Sequence, residues 1–411
     1  MILRNIGELV TFRGNQAIPG NDPTKAISRK EVDIRIGGGL ILEIGPNLAG
    51  EGEEIDCSGM TVTPGYVDAH THFIFGGNRE DEYRMRLAGA SYQEIMEAGG
   101  GIANSVTHTR EASLSELVAS GRNRLRGFLE HGVTTIEGKS GYGLDLFTEL
   151  RQLEAMKVLQ EEFPLTIVPT FMGAHEVPPE YKGRPRDYLQ YILDYVLPAV
   201  ADQRIAKFVD IFTEQGVFDI EDSRYFLEQV RRAGYPIRIH ADEIVPLDGA
   251  VLAGEVGAVS ADHLLRISPA GITALKEAGT IAGLLPLTAF SLQAEYAPAR
   301  QLLAAGVPVS LASDYNPGSC HSFSMPLLIA LSTISMKMSM LEVLCGLTIN
   351  PAASLGLADQ VGTIEVGKRA DILIHRAPNL NFIPYHFGVN TVDIVIKDGR
   401  ILLDRRKAHV E

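Results

Sequence analysis

Eight short apolar runs, each followed by a stretch with helical spacing of apolar residues, occupy residues 61–357. Short runs of this kind are typical of buried β-strands, and their regular alternation with helices favours a parallel sheet. Eight such units predict a closed (β/α)8 barrel of the TIM type, with a doubly wound open sheet as the competing topology. The predicted strands are residues 62–70, 133–139, 166–171, 207–212, 236–241, 258–263, 280–286 and 308–313.

The two ends of the chain differ from this middle part. Residues 1–60 and 360–404 contain short alternating segments punctuated by Gly and Asn, a pattern typical of antiparallel strands. Strands so far apart in sequence can share a sheet only if the intervening chain folds as an inserted unit. We therefore predict a small composite β-sandwich domain from residues 1–60 and 358–411, and a barrel domain from residues 61–357.

Charge and cysteine usage narrow the class of protein. The 37 Lys and Arg against 51 Asp and Glu give a net charge of −14, so we expect neither a nucleic-acid nor a membrane partner. Cys57, Cys320 and Cys345 are scattered and show no CxxC spacing, which argues against a disulfide framework and a thiolate zinc site. Arg4 and Glu8 interrupt the segment where a signal peptide needs apolar residues. We expect a cytoplasmic protein.

Polar residues gather at the predicted carboxyl ends of the barrel strands, which is where barrel enzymes place their active sites. Five of the eleven histidines fall there: His70, His72, His175, His240 and His263. We interpret the other six as ordinary histidines: His108, His131, His321, His375, His386 and His409.

The spacing of two of these histidines predicts a metal site. His70 and His72 are two residues apart on a predicted strand, so their imidazoles project to the same side. An HxH pair alone is weak evidence, but His240 and the carboxylate of Asp314 fall at the same end of the barrel. Three imidazoles and one carboxylate, with an open position for water, suit Zn²⁺ or iron. We expect one such ion per subunit, and the choice between zinc and iron stays open.

Several segments resemble a known superfamily. TPGYVDAHTH, HADE, SDYNPG, TINPAASLGL and GTIEVGKRADILI resemble the amidohydrolase superfamily, whose members combine a metal-binding barrel with a small β-sandwich. Within it, four blocks resemble the imidazolonepropionase family: HTHFIFGGNRE (70–80), EGKSGYGL (137–144), PTFMGAHEVPPEY (169–181) and SDYNPGSC (313–320). The resemblance to the superfamily covers essentially the whole chain. The resemblance of the four blocks to the imidazolonepropionase family implies hydrolysis of the cyclic amide of 4-imidazolone-5-propanoate to N-formimidoyl-L-glutamate, a step of L-histidine degradation.

The resemblance also implies roles for individual positions. It implies metal ligation by His70, His72, His240 and Asp314. Family members often have Thr at the position of Ser319, and either hydroxyl can donate a hydrogen bond. The implied contacts with the substrate come from Arg79, Tyr142, His175, Glu243, Asn316, Gly318 and Ser319.

The chemistry of amide hydrolysis assigns catalytic roles to a few of these residues. A proton must leave the attacking water and another must reach the departing ring nitrogen, and Glu243, just past a strand end, is our candidate shuttle. His263 is expected to orient the water or carry a proton. Which of Glu243, His263 or Asp314 deprotonates the water stays open. Arg79 follows a glycine-rich loop, and we expect it to pair with the propanoate carboxylate.

Two alternative functions remain open. A cytosine- or guanine-deaminase-like aminohydrolase would share the same histidines and carboxylates, and a barrel that has lost catalysis would be expected to lack metal ligands. Lys139 could suggest a lysine bridging two metals, but those bridges usually come from strand 4, so we interpret it as a structural or pocket residue.

The apolar helices predicted within 325–335 and 340–347 cover either the barrel or a partner subunit, which leaves a homodimer as one interpretation.

Overall fold

The structure is a computed structural model that describes residues 1–90, 94 and 100–409. Its strands are β1 (Ile2–Ile6), β2 (Glu8–Thr11), β3 (Ile27–Arg29), β4 (Val32–Gly37), β5 (Leu40–Gly45), β6 (Glu54–Asp56), β7 (Thr61–Pro64), β8 (Tyr66–Asp68), β9 (Val133–Lys139), β10 (Thr166–Ala174), β11 (Phe208–Thr213), β12 (Arg238–Ala241), β13 (Ser260–His263), β14 (Ile281–Leu284), β15 (Val309–Leu311), β16 (Ile372–His375), β17 (Val392–Lys397) and β18 (Arg400–Asp404).

Helices follow most of the barrel strands. The α-helices are Glu80–Leu87, Ile102–Glu111, Leu114–Glu130, Leu146–Glu162, Pro185–Tyr191, Leu197–Gln203, Ile220–Arg232, Gly249–Val256, Pro269–Ala278, Pro286–Ser291, Ala299–Ala305, Met325–Ala330, Met340–Leu347, Ile349–Ser354 and Phe382–Tyr385. Single π-helical segments lie at Ile192–Val196 and Leu331–Ser335, and 3₁₀ turns lie at Pro19–Asn21, Pro23–Lys25, Pro179–Tyr181 and Arg405–His409. None of the helices in the described ranges combines the length and hydropathy that a membrane span needs.

Strands β8 to β15 form one parallel sheet in chain order, with each strand hydrogen-bonded to the next. The two edges of this sheet approach each other just beyond the strand ends. Thr71 and Tyr315 form a parallel bridge, the Asp314 N–H donates to the His70 carbonyl at 3.0 Å, and the His72 N–H donates to the Tyr315 carbonyl at 2.8 Å. The structure therefore confirms the predicted barrel and not the open doubly wound sheet. The two edges meet at a seam formed by the segments that follow β8 and β15, and these segments contain residues predicted to bind the metal.

Strands from both chain ends build two further sheets. A four-stranded sheet has the order β5-β4-β1-β6, and a six-stranded sheet has the order β18-β17-β16-β7-β2-β3. Buried apolar side chains of both sheets, among them Leu3, Ile34, Val62 and Ile394, form one cluster that is separate from the barrel core. The expected composite β-structure accompanies the barrel, while the domain limits stay a prediction.

The first predicted barrel strand, 62–70, differs from the structure. Its first part is β7, which pairs with β16 and β2 in the six-stranded sheet, and only β8 belongs to the barrel. Gly65 lies between the two parts, where a Cβ atom would be 2.3 Å from the Thr134 hydroxyl oxygen. A glycine therefore allows the close contact at which the chain passes from one sheet to the other. His70 and His72 consequently lie beyond the strand end rather than on the strand.

The apolar helices after β15 pack against the barrel. Met325, Leu328, Met340 and Leu344 are all buried in the same cluster as the barrel core. The apolar faces of these helices are thus covered within one chain. The homodimer stays a prediction, and so does the cytoplasmic location.

Candidate metal centre and active site

A cavity of about 430 Å³ opens at the carboxyl ends of the barrel strands. Every site residue predicted from the sequence lines it except His70, which lies behind it with its ring centroid 4.5 Å from that of His240. The predicted residues that line the cavity are Arg79, Tyr142, His175, Glu243, Asn316, Gly318, Ser319, His72, His240, His263 and Asp314.

Two overlapping sets of side chains in this region have the geometry of a metal site. One ligating atom from each of His70, His72 and His240 lies within 4.8 Å of the others, and the same holds for His70, His263 and Asp314. The Asp314 Oδ1 atom is 3.5 Å from His70 Nε2 and 3.8 Å from His72 Nε2. Because the two sets share His70, the five side chains converge on one small volume.

The hydrogen bonds of the imidazoles leave nitrogens available for an ion. Among the described residues, His70 Nε2, His72 Nδ1 and His240 Nε2 are buried without a hydrogen-bond partner. His70 Nδ1 donates to Asp262 Oδ2 at 2.8 Å and His240 Nδ1 donates to Asp210 Oδ1 at 3.1 Å, which directs the Nε2 lone pairs toward the shared volume. Unpartnered buried nitrogens are costly unless something binds them, so the donor set fits Zn²⁺ or iron.

Burial keeps these imidazoles in the form that ligates metals. It lowers the pKa of His70 and of His72 well below the usual histidine value, and the neighbouring cations and imidazoles act in the same direction. Both rings are therefore neutral at physiological pH, as a metal ligand must be.

The carboxylate of Asp314 is held by Thr288 from the helix Pro286–Ser291, and its backbone is held by Asn316. The backbone of Asp314 has a positive φ of 52°, a conformation that is uncommon for residues other than glycine and that clusters at functional sites. Thr288 donates to Oδ2 at 2.6 Å and the Asn316 amide donates to the Asp314 carbonyl at 2.8 Å, so Oδ1 is the oxygen that faces the histidines. Burial raises the pKa of Asp314 to about 6.

Glu243 lies next to His263 and lines the same cavity as Arg79. Its Oε1 atom is 3.5 Å from His263 Nδ1, and 15% of its side chain is exposed. The loop that carries it is held because the Ile244 N–H donates to Glu214 Oε2 at 2.9 Å. Burial raises the pKa of Glu243 to about 8, with the Asp314 and Glu214 carboxylates adding to the shift. A carboxyl group with this pKa can both take and give a proton near neutrality.

Arg79 is held over the cavity by a residue that the sequence analysis missed. Its Nε and Nη2 atoms lie 2.8 and 2.7 Å from Glu82 Oε2, and the two side chains are only 16% and 13% exposed. The other edge of the guanidinium faces Gly318, where a Cβ atom would be 2.0 Å from Nη1. The i,i+3 spacing of Arg79 and Glu82 at the start of a helix is a signal that could have predicted this pair.

The turn after Asp314 is organised by the side chain of Asn316. Its Oδ1 atom accepts the backbone N–H groups of Gly318 at 2.9 Å and Ser319 at 2.8 Å, and its amide donates to the Ser319 hydroxyl at 2.8 Å. The N–H groups of Gly318 and Ser319, two of the residues predicted to contact the substrate, are thus already engaged within the turn. The exposed surface of the same residues still faces the cavity.

The aromatic side chains form one wall of the cavity. The His175 ring stacks on His72 with a centroid distance of 4.9 Å and an interplanar angle of 19°, and His175 Nδ1 donates to the Gly141 carbonyl at 3.0 Å. The Tyr142 ring lies 5.2 Å from that of His175. Lys139, in contrast, lies outside the cavity lining, which agrees with a structural role.

Comparison with known proteins assigns the family. An imidazolonepropionase of Porphyromonas gingivalis W83 is 50% identical over 410 residues, covering 98% of this chain and 97% of that protein. One of Parabacteroides distasonis is 48% identical over 410 residues, covering 98% and 99% of the two chains. The chain belongs to the imidazolonepropionase family. This confirms the resemblance of the four sequence blocks, and a family model described as "Amidohydrolase family" also matches residues 224–402.

Solved structures outside the imidazolonepropionase family share its fold. Atrazine chlorohydrolase TrzN of Arthrobacter aurescens, complexed with zinc, has a TM-score of 0.73 at 17% identity, covering 98% of this chain and 95% of that one. An adenosine deaminase of Xanthomonas campestris with bound zinc has a TM-score of 0.70 at 16% identity, covering 98% and 93%. At these identities the likeness concerns the fold alone.

Proposed function

We propose that this chain catalyses the metal-dependent hydrolysis of 4-imidazolone-5-propanoate to N-formimidoyl-L-glutamate in L-histidine degradation. The observation that carries the proposal is the convergence of buried imidazoles, Asp314 and Glu243 at one cavity, which the guanidinium of Arg79 also lines. The cavity thus offers both hydrolytic groups and a cation, as a small ring with a carboxylate tail requires. Membership of the imidazolonepropionase family supports the same substrate.

The metal ligands that we propose are His70, His72, His240 and Asp314, which would hold one Zn²⁺ or iron ion. An ion held by these residues would supply Lewis acidity, which would favour attack of water on the ring carbonyl. Asp262 and Asp210 keep two of the imidazoles in the ligating tautomer through their hydrogen bonds to Nδ1.

The protein's own side chains then account for binding and proton movement. Arg79 pairs with the propanoate carboxylate, while Tyr142, His175 and the 316–319 turn enclose the ring. Glu243 takes a proton from water as the oxygen of water bonds to the ring carbonyl carbon, and it returns a proton to the ring nitrogen as the C–N bond breaks. The attacked carbonyl carbon, which now carries the oxygen of water, becomes the second carboxylate of the product. His263, 3.5 Å from Glu243, orients the Glu243 carboxyl group.

A direct assay separates this proposal from an aminohydrolase function. Purified protein loaded with zinc or iron would be given 4-imidazolone-5-propanoate, and in parallel cytosine, guanine and adenosine. We expect loss of the imidazolone ultraviolet absorbance with formation of N-formimidoyl-L-glutamate, and no ammonia from the nucleobases or the nucleoside. Ammonia release without ring opening would overturn the proposal, and loaded protein inactive toward all four compounds would favour a non-catalytic barrel.

A further inference from the structure

A chain of charged side chains lies inside the barrel beneath the metal centre and joins two of the proposed ligands, His70 and His240. Its members project inward from four strands, β9, β11, β12 and β13, and each is at most 1% exposed. They are Asp262, Arg238, Glu137, Lys139 and Asp210.

One half of this chain leads from His70 to Glu137. Asp262 Oδ2 accepts the His70 Nδ1 proton at 2.8 Å and also a hydrogen bond from Arg238 Nη2 at 3.3 Å. The Nε atom of Arg238 in turn lies 3.2 Å from Glu137 Oε1. The guanidinium therefore connects the carboxylate that orients His70 with a carboxylate on a different strand.

The other half leads from the same Glu137 oxygen to His240. Lys139 Nζ donates to Glu137 Oε1 at 2.9 Å and to Asp210 Oδ2 at 2.7 Å, and Asp210 Oδ1 accepts the His240 Nδ1 proton at 3.1 Å. The Thr170 hydroxyl also donates to Glu137 Oε1, at 2.5 Å. A single carboxylate oxygen is thus the point where both halves meet.

Stability alone does not account for such a network. Each buried charge loses several kcal/mol of hydration, and apolar replacement of buried ion pairs is often neutral or stabilising. The three carboxylates and two cations leave one net negative charge directly beneath the imidazoles, which favours a cation among them. The charges also alternate along the network, so each aspartate is fixed by a cation on the side away from its histidine.

We propose that Glu137 is a positioning residue that couples His70 and His240. Through Arg238 and Lys139 it fixes the two aspartates, and through them the orientation of both imidazoles toward one ion. The inference rests on the proposed metal-dependent function, because it concerns the site that would hold the ion. It adds to that function a residue that contacts neither the cavity nor the ligating nitrogens.

The test is the affinity of the metal-free protein for Zn²⁺, measured by competition with a chromophoric chelator. Glu137→Gln keeps the size of the side chain and removes its charge. We expect affinity to fall by about 10- to 100-fold, the range typical of lost support behind a ligating histidine. The visible spectrum of the Co²⁺-loaded variant should also differ from that of the wild type, because two ligands are reoriented together.

A matched control separates positioning from loss of a buried ion pair. Lys397 and Asp371 form such a pair in the six-stranded sheet region, at 2.7 Å and with both side chains 2% exposed. Asp371→Asn should lower the melting temperature and leave Zn²⁺ affinity unchanged. A Glu137→Gln protein that behaved like this control would overturn the proposal.

Two further outcomes keep the test decisive. If Glu137→Gln does not fold, Thr170→Val removes only the hydroxyl donor to Glu137 and should weaken Zn²⁺ binding several-fold. Unchanged affinity in that variant would overturn the proposal. Failure of the proposed function would look different, because the wild type itself would then bind Zn²⁺ normally without opening the imidazolone ring, or would bind no ion at all.

Discussion

Substituting Gly318 by Ala tests whether the position of Arg79 determines substrate binding. The new methyl carbon would lie 2.0 Å from Arg79 Nη1 and 2.6 Å from its Cζ atom, so the guanidinium must retreat by about 1.4 Å to reach ordinary contact at 3.4 Å. Gly318 does not have a positive φ, so alanine adopts its backbone conformation without strain. The substitution therefore displaces one cation while leaving the proposed metal ligands in place.

The expected effect follows from what that displacement breaks. Because Glu82 holds the opposite edge of the guanidinium at 2.7 Å, a shift of this size must distort that contact, and it displaces the guanidinium from the carboxylate of a bound substrate. Hydrogen bonds to charged groups contribute about 1.5–3 kcal/mol, and each 1.4 kcal/mol is a factor of ten. We expect KM for 4-imidazolone-5-propanoate to rise by about 10- to 100-fold, with kcat within a few-fold of the wild type.

The assay is steady-state ring opening at equal metal content per subunit. Gly45→Ala is the matched control, because the nearest atom to its new Cβ would be Leu48 Cδ2 at an ordinary 3.4 Å, far from the cavity in β5. An unchanged KM in Gly318→Ala, with the protein folded and metal-loaded, would refute the assignment of Arg79 to the substrate carboxylate.

Three other predictions address the metal and the proton carrier. Glu243→Gln should retain its metal by elemental analysis and lose at least about 100-fold in kcat, and unchanged turnover would remove its assigned role. Because the folded Glu243 carboxyl keeps its proton up to about pH 8 while the unfolded one releases it near 4.5, the contribution of this group to the free energy of unfolding of metal-free protein should fall as pH rises between these values. The buried histidines contribute with the opposite sign below their unfolded pKa, so the quantity to measure is the difference between wild type and Glu243→Gln. Urea titrations should show that the stability of the wild type relative to Glu243→Gln falls as pH rises, and a difference that does not change with pH would contradict the raised pKa. Removing the ion with a chelator should lower the melting temperature and abolish ring opening, and added Zn²⁺ or Fe²⁺ should restore both.

The sequence predicted the barrel because short apolar runs alternate regularly with helical segments. This alternation can be recognised from residues that are neighbours in the sequence. The sequence did not predict where the first strand divides, since apolar residues lie on both sides of Gly65 and the break that Pro64 and Gly65 favour was not expected. The two halves pair with different sheets, and the close contact of Gly65 with Thr134 involves a strand distant in sequence. Pairing between distant segments is the part of a fold that periodicity leaves undetermined.

The site also has one part that local sequence patterns predict and another part that depends on contacts between distant segments. The strand-end histidines were predicted because a parallel barrel gathers its carboxyl ends, and the structure places four of the five in the lining of one cavity, with His70 behind it. The supporting residues Asp210, Glu137 and Arg238 were missed because they lie within strands, where a polar residue among apolar neighbours was not weighed as a signal. Their burial and alternating charges emerge only when four strands are brought together.

The seam of the barrel has a consequence for how the protein is made. The edge at His70 and the edge at Asp314 join each other directly, although most of the chain separates them. A ribosome adds roughly 5–20 residues per second, so His70 and His72 emerge from the tunnel on the order of ten to fifty seconds before Asp314. The nascent polypeptide cannot enclose an ion with all of the proposed ligands until the last barrel strand has been translated and docked. Loading with metal is therefore a late event in biosynthesis, and a ribosome stalled before residue 314 would carry a chain that cannot complete the site.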